Sequence, residues 1–390
     1  MLRFETAGES HGQSLVALVT GLPAGVPVPL AALARDLWRR QQGYGRGGRM
    51  KIETDEAEIV AGVRHSQTIG APIAILIRNR DWANWTETLP VEDYAGSEEK
   101  KKPVLRPRPG HADLAGVLKH GFSDARYVLE RASARETAAR VAAGAMAKAL
   151  LVQFGIEVLS HVVAVGPVML ERHATWEEIV ALGKKDEVLL GCVDPETEDR
   201  MKQVVDQAYR TGDTAGGMFE VVAHGLPPGL GSHASWDTRL DGRLAQAVVS
   251  IQAVKGVEIG AARKAAMSFG SAVQDVIGYD REGRRFTRPS NRAGGLEGGI
   301  TNGEDVVLRG YLKPISTLRR PLESVDFATR EPSQAAYERS DVCVVPAAGV
   351  VAEAMVALVL AGAFMEKFGG DSLLETRRNY EGYLNQLREF

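Results

Sequence analysis

The sequence predicts a mixed α+β protein built as one unit from two related halves. Two observations carry this. Short β-rich apolar runs are interspersed with clear helical patterns, and three short strings recur in the same order at nearly one offset. Taking the elements in order, Ser14-Leu-Val-Ala-Leu-Val-Thr20 is an apolar run stopped by Gly21 and Pro23, which reads as a buried strand. Leu30 to Gln42 is amphipathic, with Leu33 and Leu37 four apart, and reads as a helix. Ala71-Pro-Ile-Ala-Ile-Leu-Ile77 and Asp305-Val-Val-Leu-Arg-Gly-Tyr-Leu312 are strand-like. Ser133-Ala-Arg-Glu136 has the form of a capping box, opening an Ala-rich helix that runs to about Phe154. Polar segments at 96–103 and 279–295 read as loops or insertions.

The stretch from Val342 to Met365 is apolar except for Glu353, and could pass for a membrane span. A carboxylate at mid-span is costly, and the apolar run beyond it falls short of the ~20 residues a bilayer requires. Pro346 near the start and Gly369-Gly370 after the end frame a buried core helix instead. The recurring strings are Val19-Thr-Gly-Leu-Pro-Ala-Gly25 with Ala223-His-Gly-Leu-Pro-Pro-Gly229, Glu130-Arg131 with Glu338-Arg339, and Ala142-Ala-Gly144 with Ala347-Ala-Gly349. They divide a single domain, 1–390, into pseudo-repeat halves of roughly 1–205 and 206–390.

Composition narrows the function. A net charge of −3 argues against bulk binding of nucleic acid or membrane, while leaving room for a local basic pocket that takes a small anion. Cys192 and Cys343 fit no zinc or redox spacing, and the N-terminus has no apolar signal segment, so a cytoplasmic protein is expected. The eight histidines show no metal-ligand spacing.

Candidate chemistry begins at Gly8-Glu-Ser-His-Gly12, which matches the nucleophile elbow Gly-x-Ser-x-Gly. That elbow needs a helix after the serine. Here a strand follows, so attention passes from Ser10 to His11. Gly43-Tyr-Gly45-Arg-Gly-Gly48-Arg49 matches a dinucleotide fingerprint, but it follows a helix and precedes no helix, so the fingerprint fails. Arg40, Arg46 and Arg49 remain, either as a solvated basic turn or as a phosphate clamp. In Arg106-Pro-Arg108-Pro-Gly-His111 two prolines stiffen a segment that carries a cation and an imidazole. Arg131, Ser133 and Arg135 lie near a helix N-terminus, a natural place for an anion. Gly298 and its neighbours supply backbone that a flat ligand can approach. Lys313-Pro-Ile-Ser-Thr317 offers an ammonium and two hydroxyls. Asp341, just before the Pro346 helix, is expected in an apolar setting that would raise its pKa. Together these point to acid–base chemistry on a phosphorylated substrate. The residues alone do not name the reaction.

Gly8-Glu-Ser-His-Gly12, Arg106–Asp113, Glu130-Arg-Ala-Ser-Ala-Arg-Glu-Thr137, Gly298-Gly-Ile-Thr-Asn-Gly-Glu304, Lys313–Thr317 and Arg339-Ser-Asp341 closely resemble the chorismate synthase family, in order and over essentially the whole chain. The resemblance implies a shikimate-pathway lyase that converts 5-enolpyruvylshikimate 3-phosphate to chorismate and phosphate, using reduced FMN without net redox change. It implies a homotetramer whose subunit is a β-α-β sandwich, with a helical core layer between antiparallel sheets. By the same resemblance His11 is the acid at the leaving phosphate, His111 the proton donor to the reduced flavin, and Asp341 the base acting through flavin N5. Flavin contacts fall on Arg131, Ala132, Ser133, Gln252, Ala253, Gly298, Lys313, Pro314, Ile315, Ser316, Thr317 and Arg339. Substrate contacts fall on Arg40, Arg46, Arg49, Arg108 and Arg135, and Arg40 and Arg46 also resemble positions assigned to NADP. Gln252 departs from the asparagine of many relatives, which lengthens its arm. No attached reductase is visible, so an external flavin reductant is expected.

Two other classes stand as controls. An RNA-binding protein could use the Arg-Gly loop, but aromatic residues make up only 6% and do not accompany the basic ones. A metal-independent phosphohydrolase could use His11 and the arginines, and would need no flavin.

Overall fold

The computed structural model describes residues 2–47, 54–93, 98–337 and 341–390. Its centre is a pair of helices, Thr137–Leu151 and Val345–Phe368, packed side by side. They touch at Gly144, where a Cβ would lie 2.3 Å from the Cβ of Ala354. Small residues allow this approach. A four-stranded antiparallel sheet runs Arg3–Ala7, Ser14–Thr20, Ile73–Arg78, Ala57–Ala61 in spatial order. Alternation puts Leu15, Ala17, Val19, Ile73, Ile75 and Ile77 on its buried face, against the helix Thr137–Leu151. A five-stranded antiparallel sheet runs Val254–Ile259, Val306–Leu312, Gly217–His224, Glu157–Val165, Val168–Met169. Its strands Glu157–Val165 and Gly217–His224 pack on the helix Val345–Phe368. One apolar core runs through both sheets and both helices.

The predicted elements hold with short shifts at their ends, and three differ in kind. Within the 96–103 segment, whose residues 96 and 97 lie outside the described residues, Glu98–Lys101 forms a short 3₁₀ helix. Ser133 does not open the Ala-rich helix through a capping box. Its hydroxyl accepts the Arg135 N–H and starts a 3₁₀ turn, Ala134–Glu136, while the Glu136 carboxylate turns away to Gln252 and Arg140. The 279–295 segment is not all loop, because Gly278–Asp280 and Arg285–Thr287 pair as a hairpin with Tyr279 against Phe286. Two of the recurring strings occupy matching places. Val19–Gly25 and Ala223–Gly229 overlap the ends of Ser14–Thr20 and Gly217–His224, and the two Ala-Ala-Gly strings lie in the two central helices. Glu338 and Arg339 lie outside the described residues.

The helix Val345–Phe368 is the one described helix long and apolar enough to cross a membrane. It is enclosed by protein: Pro346 stands in its first turn, Gly369 has φ +59° just beyond its end, and Glu353 is fully buried. The sequence left that carboxylate unexplained, and the fold supplies its partners. Arg39 grips Glu353 with two hydrogen bonds of 2.6 and 2.7 Å, Lys148 adds one of 2.7 Å, and the Ser160 N–H and hydroxyl donate two more. Burial alone would raise the Glu353 carboxyl, but Arg39 and Lys148 outweigh it and hold it below its ordinary range. A depressed folded-state pKa adds stability that is complete above the ordinary carboxylate value and is lost as pH falls toward the lowered one. Glu353→Leu leaves Arg39 and Lys148 buried without this partner, and should cost about 3–5 kcal/mol at pH 7, read as a lower denaturant midpoint. A cost below ~1 kcal/mol would show that the network contributes little to stability.

Candidate active site

A cleft of about 830 Å³ opens beside the start of the two central helices, toward the upper end of the range for ligand sites. All three predicted acid–base residues, His11, His111 and Asp341, line it. So do Arg40, Arg46, Arg108 and Arg135, together with Ala132, Ser133, Gln252, Ala253, Lys313, Ile315, Ser316 and Thr317. Residues far apart in the chain therefore meet in one place.

Each is held by the local fold. His11 follows the first strand and is 8% exposed. Its Nδ1 lies 2.9 and 3.0 Å from the two oxygens of Glu130, and its ring stacks on Trp85 at 3.8 Å. Burial alone would raise the Glu130 carboxyl, but hydrogen bonding from His11 brings it below the usual range. Gly8, with φ +104°, lets its own chain approach closely, since a Cβ there would sit 2.4 Å from the Ser14 carbonyl oxygen. Ser10 donates to the Ser133 hydroxyl at 3.0 Å.

Arg108 is a buried hub. It donates to Asp113 through Nε at 2.8 Å and Nη2 at 3.0 Å, and to the Thr317 hydroxyl through Nη1 at 2.9 Å. His111 Nδ1 lies 2.6 Å from Asp113 Oδ1. Burial would raise the Asp113 carboxyl, but His111 and Arg108 hold it well below the carboxylate range. Arg40 and Arg135 flank the buried Asp55, with Arg40 Nη2 2.5 Å from Oδ2 and Arg135 on Oδ1. Burial raises the Asp55 carboxyl as well, and the two guanidinium groups more than reverse that. The Arg40 Nε is buried with no hydrogen-bond partner among the described residues, as is Gln252 Oε1. Gln252 Nε2 donates to Glu136 at 2.7 Å, which fixes the amide so that Oε1 is the atom left over. Two orphaned polar atoms on one cleft, one donor and one acceptor, call for a polar ligand. Ala253 adds a non-glycine backbone at φ +68°, a conformation that concentrates at functional sites.

Four expectations meet a different outcome. Asp341 is not in apolar company. Arg46 Nη1 lies 3.0 Å from its Oδ2, and the Gly47 N–H donates to its Oδ1 at 2.5 Å, so a cation and a backbone donor replace the valines beside it in sequence. Arg131 does not line the cleft, because its guanidinium donates to the Thr6 and Gly8 carbonyl oxygens and the Thr6 hydroxyl. Gly298 sits in a tight hairpin between Leu296–Glu297 and Ile300–Thr301, away from the cleft lining, and Pro314 is also not among its walls. Arg49 and Arg339 lie outside the described residues. The sequence assigned no part in the site to Glu130, Asp113, Asp55, Glu136 or Trp85. Glu130, Asp113 and Glu136 stood inside quoted motifs, the first two one residue from Arg131 and two from His111, and carried a usable signal.

Comparison with known proteins decides the family. A family model described as chorismate synthase matches residues 2–365. The chain belongs to the chorismate synthase family. It is 74% identical over its full length to the chorismate synthase of Solibacter usitatus (strain Ellin6076) and 68% identical to that of Koribacter versatilis (strain Ellin345), each covered completely. A crystal structure of chorismate synthase superimposes with a TM-score of 0.79 at 42% identity, covering 100% of this chain and 99% of that one. Chorismate synthase is a carbon–oxygen lyase acting on phosphates, and it catalyses the last step of the shikimate pathway. Its substrate is a phosphorylated small molecule, which suits a cleft lined by four arginines.

Proposed function

We propose that this chain converts 5-enolpyruvylshikimate 3-phosphate to chorismate and phosphate by a 1,4-elimination that needs reduced FMN and consumes no reductant. The observation that carries the reading is the convergence of His11, His111 and Asp341 with Arg40, Arg46, Arg108 and Arg135 on one cleft. The residues present fit a flavin. Lys313 provides a cation, Ser316 and Thr317 provide hydroxyls, and Gln252 Oε1 is a fixed acceptor without a protein partner among the described residues.

The arginines bind the substrate phosphate and carboxylates by charge-assisted hydrogen bonds, with Asp55 and Asp113 holding the guanidinium groups in place. His11 gives a proton to the leaving phosphate oxygen. His111, oriented by Asp113, would hold a proton in the cleft for the bound cofactor, and Asp341 would accept one. A bound substrate anion competes with Asp341 for Arg46, so substrate binding and release of the base are linked. Lys313, Ile315, Ser316, Thr317, Ala132, Ser133, Gln252 and Ala253 would hold the cofactor. When bound there, reduced FMN would supply the electron density that breaking the C–O bond requires. NADP forms no part of this reading, and the electrons that keep the flavin reduced come from an external donor.

The test is anaerobic phosphate release with and without reduced FMN. Release should require it. Release at full rate without flavin would instead identify a phosphohydrolase.

The same reading takes the chain as one domain of two related halves, sandwiching its central helices, and as a cytoplasmic homotetramer. The short stretch 267–277 exposes Met267, Phe269, Val276 and Ile277, the kind of apolar patch that a second copy covers. Detergent-free protein should sediment as an oligomer. A monomer at micromolar concentration would contradict this.

A further inference from the structure

The geometry points to Glu130 as the positioning residue of His11: it fixes the proton of the neutral imidazole on Nδ1, and so makes Nε2 the one ring nitrogen that exchanges a proton with a bound ligand. This rests on reading His11 as the acid of the reaction.

Three contacts tie the two residues together. Both Glu130 oxygens lie within 3.0 Å of His11 Nδ1, and Oε2 also accepts the His11 backbone N–H at 2.8 Å. The Glu130 carbonyl oxygen accepts the neighbouring Ser10 N–H at 2.9 Å. The carboxylate is 1% exposed, so water does not compete for it. Arg126 reaches it at only 3.4 Å and spends its shorter bonds on the Lys102 carbonyl oxygen, which leaves His11 as the dominant partner. Trp85 closes one face of the ring. A half-turn of the imidazole would set a carbon against the carboxylate in place of Nδ1, so the ring has one orientation. An ionised carboxylate only accepts, and Nδ1 must therefore be the donor.

The consequence for the proton is specific. In the charged ring Nδ1–H donates to Glu130 and Nε2–H faces the ligand. When the proton passes to the leaving phosphate oxygen, the Nε2–H bond breaks and its electron pair stays on Nε2. A new O–H bond forms, and the ring is left neutral with Nδ1–H still on Glu130. Nothing has to move onto Glu130, whose carboxylate accepts from Nδ1–H before transfer and keeps the correct tautomer after it. A wrong tautomer is known to be expensive where a carboxylate orients a catalytic histidine.

Glu130→Gln tests this without changing shape. The His11 backbone N–H claims the amide oxygen at the Oε2 position, which places the amide NH₂ against Nδ1 as a donor. The favoured neutral tautomer should then reverse, with the proton on Nε2. Protein carrying ring-¹⁵N histidine, with the His11 signal assigned by its loss in His11→Ala, should show Nδ1 protonated and Nε2 unprotonated at alkaline pH in the parent, and the opposite in Glu130→Gln. Turnover of Glu130→Gln should fall by about 10²-fold or more, while FMN affinity and the substrate KM stay within about twofold. An Nε2–H tautomer in the parent would overturn the proposal, as would a Glu130→Gln protein with the parental tautomer and rate. The parental spectrum needs no variant, so the proposal stays exposed even if Glu130→Gln fails to fold. A fully active His11→Ala would remove the acid role of His11 while leaving the tautomer result to stand on its own.

Discussion

Asp341→Asn should leave FMN binding near the parental level while turnover falls by about 10²–10⁴-fold, the range for loss of a general base. Asparagine keeps the shape and can keep an oxygen for the Gly47 N–H that Oδ1 now accepts. It cannot take up a proton. Its amide NH₂ would also face Arg46, which now lies 3.0 Å from Oδ2. Two donors repel, so Arg46 should shift and the substrate KM should change as well. Arg46→Ala separates the two effects, because it removes a substrate contact while leaving the carboxylate, and should act mainly on KM. Steady-state kinetics under saturating reduced FMN checks both. Parental turnover in Asp341→Asn would exclude this carboxylate as the base.

His11→Ala should lower turnover by about 10²–10⁴-fold, with FMN still bound, since no flavin contact is assigned to His11. The structure adds a cost that the sequence did not show. Removing the ring takes away the principal partner of the buried Glu130 carboxylate and uncovers one face of Trp85. A loss of about 1–3 kcal/mol in stability is expected alongside the loss of rate. Thermal unfolding must therefore accompany the kinetics, so that a slow enzyme is not mistaken for an unfolded one. Full turnover with reduced FMN in excess would end the acid role of His11.

The fold was legible where residues act locally. An apolar run stopped by Gly21 and Pro23 marked the Ser14–Thr20 strand, and Pro346 with Gly369-Gly370 framed the long helix because backbone geometry permits little else there. The carboxylate in that helix argued for burial, yet its partners Arg39 and Lys148 come from two other helices and could not be read along the chain. The same limit explains Asp341. Its valine neighbours promised an apolar setting, but a residue just before a helix points where the turn sends it, and the tertiary fold delivers Arg46 from the other end of the chain. Arg131 shows the converse. It stands next to cleft residues in sequence, but it lies in the last turn of the helix Arg126–Ala132, which turns its guanidinium onto the first strand. Motif resemblance gathered most of the cleft because it carries tertiary information that periodicity lacks. The supporting carboxylates Glu130 and Asp113 stood within quoted motifs, but which side chains they hold, and the part Asp55 plays between Arg40 and Arg135, emerge only from the tertiary fold.

The central claim is a redox-neutral elimination by this constellation. The most direct measurement counts chorismate formed per reduced FMN in a sealed anaerobic reaction, with substrate in large excess and no other reductant. Many chorismates and an equal amount of phosphate should form for each flavin, with the flavin still reduced when the substrate is exhausted. One product per flavin, with the flavin left oxidised, would contradict it.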